Sequence, residues 1–438
     1  MKGWIRFMAQ LLKVSSNKRF LIKEDGTPFF WLGDTAWELF HKLNKEEAET
    51  YLENRANKGF NVIQAVALAE YDGIRVGNVY GQKPLLKNKL NDYDPTLPDL
   101  EAEYDYWDHL DYVVELADSL GIYIALLPTW GDKYNLKWGK GPELFNEENA
   151  KIYGEWLAQR YSSRNNIIWV MGGDRPLEEE AHYNVIRAMA EGIQAGDKQG
   201  HLMTFHPPGC NSSSTFVHDE EWLDFNMIQS GHSLQRDSYR WVEKDYNLKA
   251  IKPTFDGEPR YEDHPINFKP ENGYFDDFDI RQAAYWGVFA GGFGHTYGHH
   301  SIWSMTTKPA EYYIMTWQDA INRPGGNQMQ YLRKLIESRP MLERVPDQSI
   351  IARQYEGENH IQATRGMAYA FMYSPNGLPL EVKMGIISGE RVKASWYNPR
   401  NGESSLLGEF TNSGTKEFNP PTHGRNNDWI LVLDDAEV

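Results

Sequence analysis

Two acidic residues stand where a chain could do chemistry. The apolar run Ile167 to Met171 reads as a buried strand and ends in Gly172-Gly173-Asp174. Further along, Pro253-Thr254-Phe255-Asp256-Gly257-Glu258-Pro259 repeats the arrangement, a strand that delivers an acid at its C-terminal end. In a barrel of parallel strands those ends open into one mouth, where such barrels carry their active sites. Two carboxyl groups placed there are the minimum equipment for cleaving a glycosidic bond. One, with a raised pKa, protonates the leaving oxygen, and the other, ionised, attacks the anomeric carbon. Asp174 is assigned as acid/base and Glu258 as nucleophile of a retaining enzyme. The plain alternative for each acid is a helix N-cap or a solvated loop residue. Two of them at separate strand ends, each beside glycine, favour the catalytic assignment.

Further candidates follow other strand ends. Trp37, Trp130 and Trp303 could stack on sugar rings, although core packing is the default for any one tryptophan. Asp34 and Asp132 could grip sugar hydroxyls or cap the next helix. His206, His232, His295, His299 and His300 come from three strand ends and suit hydroxyl recognition. The His-x-x-x-His-His spacing could supply metal ligands, but no acid or cysteine shares a ligand-like spacing with it, so no metal or organic cofactor is expected. Gly291-Gly292-Phe293-Gly294 leads into a strand and lacks the Gly-Lys-Ser/Thr ending of a phosphate loop.

These residues need a scaffold, and the chain is long enough for one. Its 438 residues suit a barrel plus a smaller partner, with 41% hydrophobic and 24% charged residues. Strand signals alternate with helix signals. The strands are Phe29 to Gly33, Asn61 to Leu68, Ile122 to Leu127, Ile167 to Met171, Leu202 to Phe205, Phe225 to Gln229, Thr254 to Asp256, and a last one from Gly294. This predicts an α/β fold, a (β/α)8 TIM barrel over residues 1–345, with an N-terminal β-hairpin at Phe20 to Pro28. Asn44 and Glu47 predict a capped helix ending at Gly59, and helices are expected at Tyr106 to Leu120, Glu147 to Arg160, Leu177 to Gln194, Tyr239 to Tyr246 and Ile280 to Ala290. The irregular stretch Glu70 to Asp105 is a long functional loop. From Gln348 the pattern changes to short alternating runs, among them Ile350 to Arg353, Ile361 to Thr364, Met367 to Tyr373, Val392 to Tyr397 and Trp429 to Leu433. With turn pairs such as Asn376-Gly377 between them, residues 346–438 read as a small antiparallel β-sandwich. It is expected to be structural, its aromatics filling its own core, with a sugar-binding module as the alternative.

A formal net charge of −17 argues against nucleic acid as a partner and gives no polybasic route to a membrane. The single cysteine, Cys210, excludes an intramolecular disulfide. Aromatics reach 13%, a surplus that carbohydrate enzymes and large aromatic cores share. The segment Met1 to Leu12 has basic and apolar residues, but Arg6 breaks its hydrophobic region, so it is not an intact signal peptide.

Several blocks, in order along the chain, resemble one family. They are Trp31-Leu32-Gly33-Asp34-Thr35-Ala36-Trp37-Glu38-Leu39-Phe40, Val62-Ile63-Gln64-Ala65-Val66-Ala67, Leu127-Pro128-Thr129-Trp130-Gly131-Asp132-Lys133, Gly172-Gly173-Asp174 and Asp256-Gly257-Glu258-Pro259. They are similar to the apiosidase-like glycoside hydrolases, and the resemblance extends from about Leu12 to the C-terminus. It implies a (β/α)8 barrel followed by a small β-domain that is named for collagen binding, a label that nothing in Gln348 to Val438 supports. It also implies cleavage of apiosyl side-chain linkages in pectic rhamnogalacturonan II, with the family's strand-four Asp on Asp174 and its strand-seven Glu on Glu258. Gln64, in the second block, joins the candidate substrate-binding residues. The alternatives are a cellulase-like or other plant-polysaccharide glycosidase on the same barrel, and a non-catalytic carbohydrate-binding protein. The expected partner is a plant cell-wall oligo- or polysaccharide, met by a monomer. The resemblance implies a periplasmic or secreted enzyme, with a cytoplasmic one as the alternative. Pectin is acidic, so Lys133, Arg175 and Arg260 are expected near the mouth to offset the negative charge.

Overall fold

The computed structural model describes residues 9–234 and 237–438. The signal-peptide question at Met1 to Met8 lies outside them. Eight parallel strands form the barrel: β1 (Trp31–Thr35), β2 (Val62–Val66), β3 (Tyr123–Leu127), β4 (Ile167–Gly172), β5 (Met203–His206), β6 (Asn226–Gln229), β7 (Thr254–Asp256) and β8 (Gly294–Tyr297). They run β5-β4-β3-β2-β1-β8-β7-β6 around the sheet. The remaining seam, between β5 and β6, closes through the Asp224 N–H on the Met203 carbonyl at 2.9 Å and the Thr204 hydroxyl on the Phe225 carbonyl at 2.6 Å. Every residue of the eight strands is buried. That explains their near-continuous apolar runs, since parallel strands are covered on both faces. Part of the aromatic surplus packs inside the barrel, where Phe255 meets Trp31 at 4.9 Å and Phe293 at 4.7 Å between ring centroids.

The outer helices are α1 (Lys45–Asn57), α2 (Tyr106–Ser119), α3 (Glu147–Tyr161), α4 (Glu180–Gly196), α5 (Ser238–Tyr246), α6 (Asp277–Phe289) and α7 (Pro324–Glu337). Asn44, Asp105, Asn146 and Asp276 cap α1, α2, α3 and α6 in reciprocal capping boxes. The Asp276 cap starts α6 three residues before the expected Ile280. The helix expected from Leu177 begins at Glu180 instead. Only a four-residue helix, Ser214–Val217, follows β5, so the fifth unit is reduced to a turn. The loop after β2 carries a short hairpin, Leu85–Lys87 against Tyr93–Pro98. Helices α3 and α4 flank β4 and approach backbone to backbone: a Cβ on Gly192 would stand 2.1 Å from the Lys151 carbonyl oxygen. Glycine there seats both helices tightly beside the strand whose end leads into Asp174. Among the described residues no helix is long and apolar enough to cross a membrane.

The C-terminal region contains β9 (Gln362–Arg365), β10 (Tyr369–Ser374), β11 (Leu380–Lys383), β12 (Arg391–Tyr397), β13 (Ser404–Thr411), β14 (Thr415–Phe418) and β15 (Trp429–Asp435). Val345–Pro346 and strands β9-β10-β15-β12-β13 make an antiparallel sheet, and β11 pairs with β14. Ile350 to Arg353, expected as a strand, is a 3-10 turn with one bridge from Ile351 to Val382. One face of the sheet holds its own core, including Met372, Trp396 and Leu431. From the other face Phe371 and Tyr373 join the barrel's packing. Tyr373 stacks on Tyr285 of α6 at 5.1 Å and Phe371 on Phe289 at 6.0 Å. Helix α6, enclosed between barrel and sheet, is buried along almost its whole length. The enclosure covers its polar side chains Asp279, Arg281 and Gln282 as well as its apolar ones.

Candidate active site

At the end of β4 the chain turns through three left-handed residues, Gly172 (φ 91°), Gly173 (φ 120°) and Asp174 (φ 54°). A Cβ on Gly172 would lie 2.5 Å from the His206 carbonyl oxygen, and one on Gly173 2.7 Å from the Gly131 nitrogen. Both glycines are therefore required for the backbone to pass. Asp is among the few side chains that tolerate the third position. The turn aims the Asp174 carboxyl into a cavity of about 510 Å³ that Glu258 also lines.

His206, at the end of β5, connects the two acids. Its Nδ1 accepts the Asp174 N–H at 3.3 Å. The ring hydrogen is thus on Nε2, which stands 2.8 Å from Glu258 Oε2, close but off the line of an aligned hydrogen bond. His232, from the end of β6, places Nε2 3.2 Å from Glu258 Oε1. Burial pushes the Glu258 carboxyl up, but the contacts with His206 and His232 outweigh it and hold the group well below the usual carboxylate range. Asp174 goes the other way. Burial and the neighbouring Glu258 charge raise it, against the opposing effects of Arg175, His206 and the Trp138 indole. One carboxyl is pushed toward its protonated form beside one held toward its ionised form, the division that acid-assisted displacement at an acetal carbon needs.

Of the candidates read from the sequence, Trp37, Trp130, His232, His300 and Trp303 line this cavity with the two acids. Trp37 and Trp130 show little more than an edge, because both pack on the His206 ring, at 5.2 and 5.8 Å between centroids. Trp303 stacks on Tyr71 at 5.5 Å.

Besides His206, which lies buried behind the two acids, three expected sugar-binding residues do not line the cavity. Asp34 is fully buried, held by Arg55 and by the Tyr51 hydroxyl at 2.6 Å. Asp132 accepts from Lys133 at 2.5 Å and from the Lys140 and Gly141 N–H groups at 3.1 and 2.8 Å. Gln64 donates to the Gly257 carbonyl at 2.9 Å, which steadies the turn before Glu258.

The basic residues expected at the mouth are all buried. Lys133 is pinned by Asp132 and the Ala69 carbonyl, Arg260 lies against Gln282, and Arg175 sits beside Asp174. Of the last three histidines only His300 faces the cavity; His299 is engaged by Asp263 at 3.0 Å and by the Ser301 N–H. Among the described residues no group of three or more His, Cys, Asp or Glu side chains is arranged to hold a metal ion.

The sequence did not single out Glu70, Trp138, Tyr261, His264 or the pair Tyr312 and Tyr313, which also line the cavity. Glu70 follows β2 as Asp34 ends β1, so the strand-end rule could have found it. Burial, with the charges of Asp174 and Asp132 adding to it and Arg175 opposing, pushes its carboxyl up to about 7. The others lie on irregular loops, where no periodicity marks a residue that turns inward.

Known proteins resemble the chain over its whole length. The model described as "Apiosidase-like, catalytic domain" matches residues 15–343, and a model named as the collagen-binding domain of a collagenase matches residues 345–434. A solved structure titled glycoside hydrolase is 38% identical, with a TM-score of 0.90, over 100% of this chain and 99% of its own. A glycoside hydrolase family 5 structure from Bacteroides vulgatus is 36% identical, with a TM-score of 0.89, over 98% and 94%. No curated protein sequence matches the chain.

Proposed function

The chain belongs to the apiosidase-like glycoside hydrolases, and from that premise we propose that it is a retaining enzyme that cleaves apiosyl side-chain linkages of rhamnogalacturonan II. The observation that carries the mechanism is the opposite tuning of two carboxyls facing one cavity. Glu258 attacks the anomeric carbon while Asp174 gives its proton to the glycosidic oxygen. The carbon–oxygen bond breaks and a glycosyl ester forms on Glu258. Asp174, now a carboxylate, takes a proton from water as that water attacks the same carbon. The sugar leaves, and both acids return to their starting states. His206 and His232 stabilise the Glu258 carboxylate before attack and again when it departs.

Family membership supports the apiosyl assignment, and an aromatic-walled pocket is suited to closing around one sugar unit. Action as a monomer on a plant cell-wall polysaccharide is part of the same proposal. Digestion of a panel of plant polysaccharides with analysis of the released sugar tests it. Release of apiosyl side chains from rhamnogalacturonan II is expected. Release from xylan or cellulose but not from pectin would replace the substrate and leave the hydrolase standing.

A further inference from the structure

The loop after β3 carries Trp138 in a polar, glycine-rich setting, Lys137-Trp138-Gly139-Lys140-Gly141, that offers its ring no core to fill. The side chain is 41% exposed and lines the cavity, whereas Trp37 and Trp130 are 2% and 3% exposed. Its backbone is nevertheless fixed by two fully buried charged residues. Arg175 donates to the Trp138 carbonyl through Nε at 3.0 Å and a terminal nitrogen at 2.6 Å. Asp132 accepts the N–H groups of Lys140 and Gly141. Gly139 between them has φ 105°, and a Cβ there would stand 2.6 Å from the Arg175 guanidinium. The guanidinium carbon lies 4.5 Å from the centre of the indole ring and so covers part of it. The indole N–H donates to Asp174 Oδ2 at 3.3 Å.

We infer that Trp138 is the platform for the leaving-group sugar and, through its indole N–H, a positioning residue for Asp174. The inference rests on Asp174 being the general acid. That acid must touch the glycosidic oxygen, so a ring whose edge touches the same carboxyl lies on the leaving-group side of the bond. Arg175 donates to Oδ2 as well, at 3.3 Å. Among the described residues both protein donors to this carboxyl meet at Oδ2, so the transferable proton sits on Oδ1. A flat apolar face on an immobilised loop binds a sugar with little ordering left to do. The groups facing Asp174 are Glu258 from β7, His206 from β5, Glu70 and Tyr134 from the loops after β2 and β3, and Arg175 beside it. An N–H bonded to the ionised carboxylate favours ionisation, so its loss raises the Asp174 pKa.

Two variants separate the roles. On the polysaccharide that the wild type cleaves, Trp138→Ala raises KM about tenfold, the worth of one stacked ring. Trp138→Phe keeps a ring, holds KM near that of wild type, and moves the alkaline limb of the kcat profile up by on the order of half a pH unit. Titration of the Asp174 carboxyl by 13C NMR shows the same upward move without any turnover. An unchanged KM in Trp138→Ala overturns the platform, and an unmoved titration in Trp138→Phe overturns the positioning role. Failure of the underlying assignment looks different: Asp174→Asn would then keep its turnover, whatever the Trp138 variants do.

Discussion

Arg281 of α6 and Asp428, immediately before β15, meet as a two-pronged ion pair with neither side chain exposed. Nε lies 2.9 Å from Oδ2 and the terminal nitrogen 3.0 Å from Oδ1. Arg281 also holds Asp277 and Gln328, and Asp428 accepts the Tyr373 hydroxyl at 3.1 Å. The charges of this pair, which joins barrel and C-terminal sheet, are thus buried and fully engaged.

Removing Arg281 leaves the buried Asp428 carboxylate with the Tyr373 hydroxyl and a longer contact to Arg400 at 3.5 Å. Arg281→Met is expected to lower unfolding stability by about 3–5 kcal/mol, read by chemical denaturation. Truncation before Gln348 should yield insoluble protein, because α6 would lose its cover. A truncated barrel that stays folded and active but binds polysaccharide poorly would make the C-terminal sheet a binding module instead.

Loss of the acid and loss of the nucleophile should be distinguishable. Asp174→Asn should reduce cleavage of the natural linkage by about 10²–10⁴-fold, and much less for an aryl glycoside whose leaving group needs no proton. Glu258→Gln should abolish both. Equal losses on the two substrates in Asp174→Asn would remove Asp174 from the role of acid.

Turnover needs Asp174 protonated and Glu258 ionised. Because burial and the Glu258 charge raise the first, while His206 and His232 outweigh burial to lower the second, the rate should stay high from below the usual carboxylate pKa to above it. His232→Ala removes one donor to Glu258, so the Glu258 pKa rises and the acid limb of kcat/KM moves up by about one pH unit. An acid limb that does not move would detach His232 from Glu258.

Asp256 is buried, its carboxyl bonded to Ser230. Burial pushes it up to about 7, against the Ser230 hydroxyl and N–H that favour its charge. Between its ordinary pKa and about 7 the folded chain keeps a proton that the unfolded chain has released. Stability therefore falls as pH rises through that window. Asp256→Asn should flatten the dependence and stabilise the chain at pH 8 by on the order of 2–4 kcal/mol, measured by denaturation at pH 5 and pH 8. A slope unchanged in Asp256→Asn would assign it to other groups.

The barrel was legible because its strands are buried on both faces and its helices announce themselves with caps such as Asn44 and Asp105. The two acids were legible because strand ends in such a barrel converge. That rule locates a Cα but not a side-chain direction, and so it could not separate Glu258 from Asp34, whose carboxylate turns to Arg55. It was silent on Trp138, whose loop is fixed by Arg175 and Asp132 from two different strand ends. Strand β13 escaped notice because its residues are largely exposed and lack an apolar alternation.

The enclosure of α6 also bears on inheritance. A module on a flexible tether can be gained, lost or exchanged between genes without harm to its neighbour. Here a recombination event near residue 345 would turn Tyr285 and Phe289 of α6, now covered by the sheet, toward water and leave Arg281 without Asp428. The barrel and its sheet must then pass between lineages as one piece, and a loop around the cavity, not a new appendage, is where such a protein can acquire a new linkage to cut.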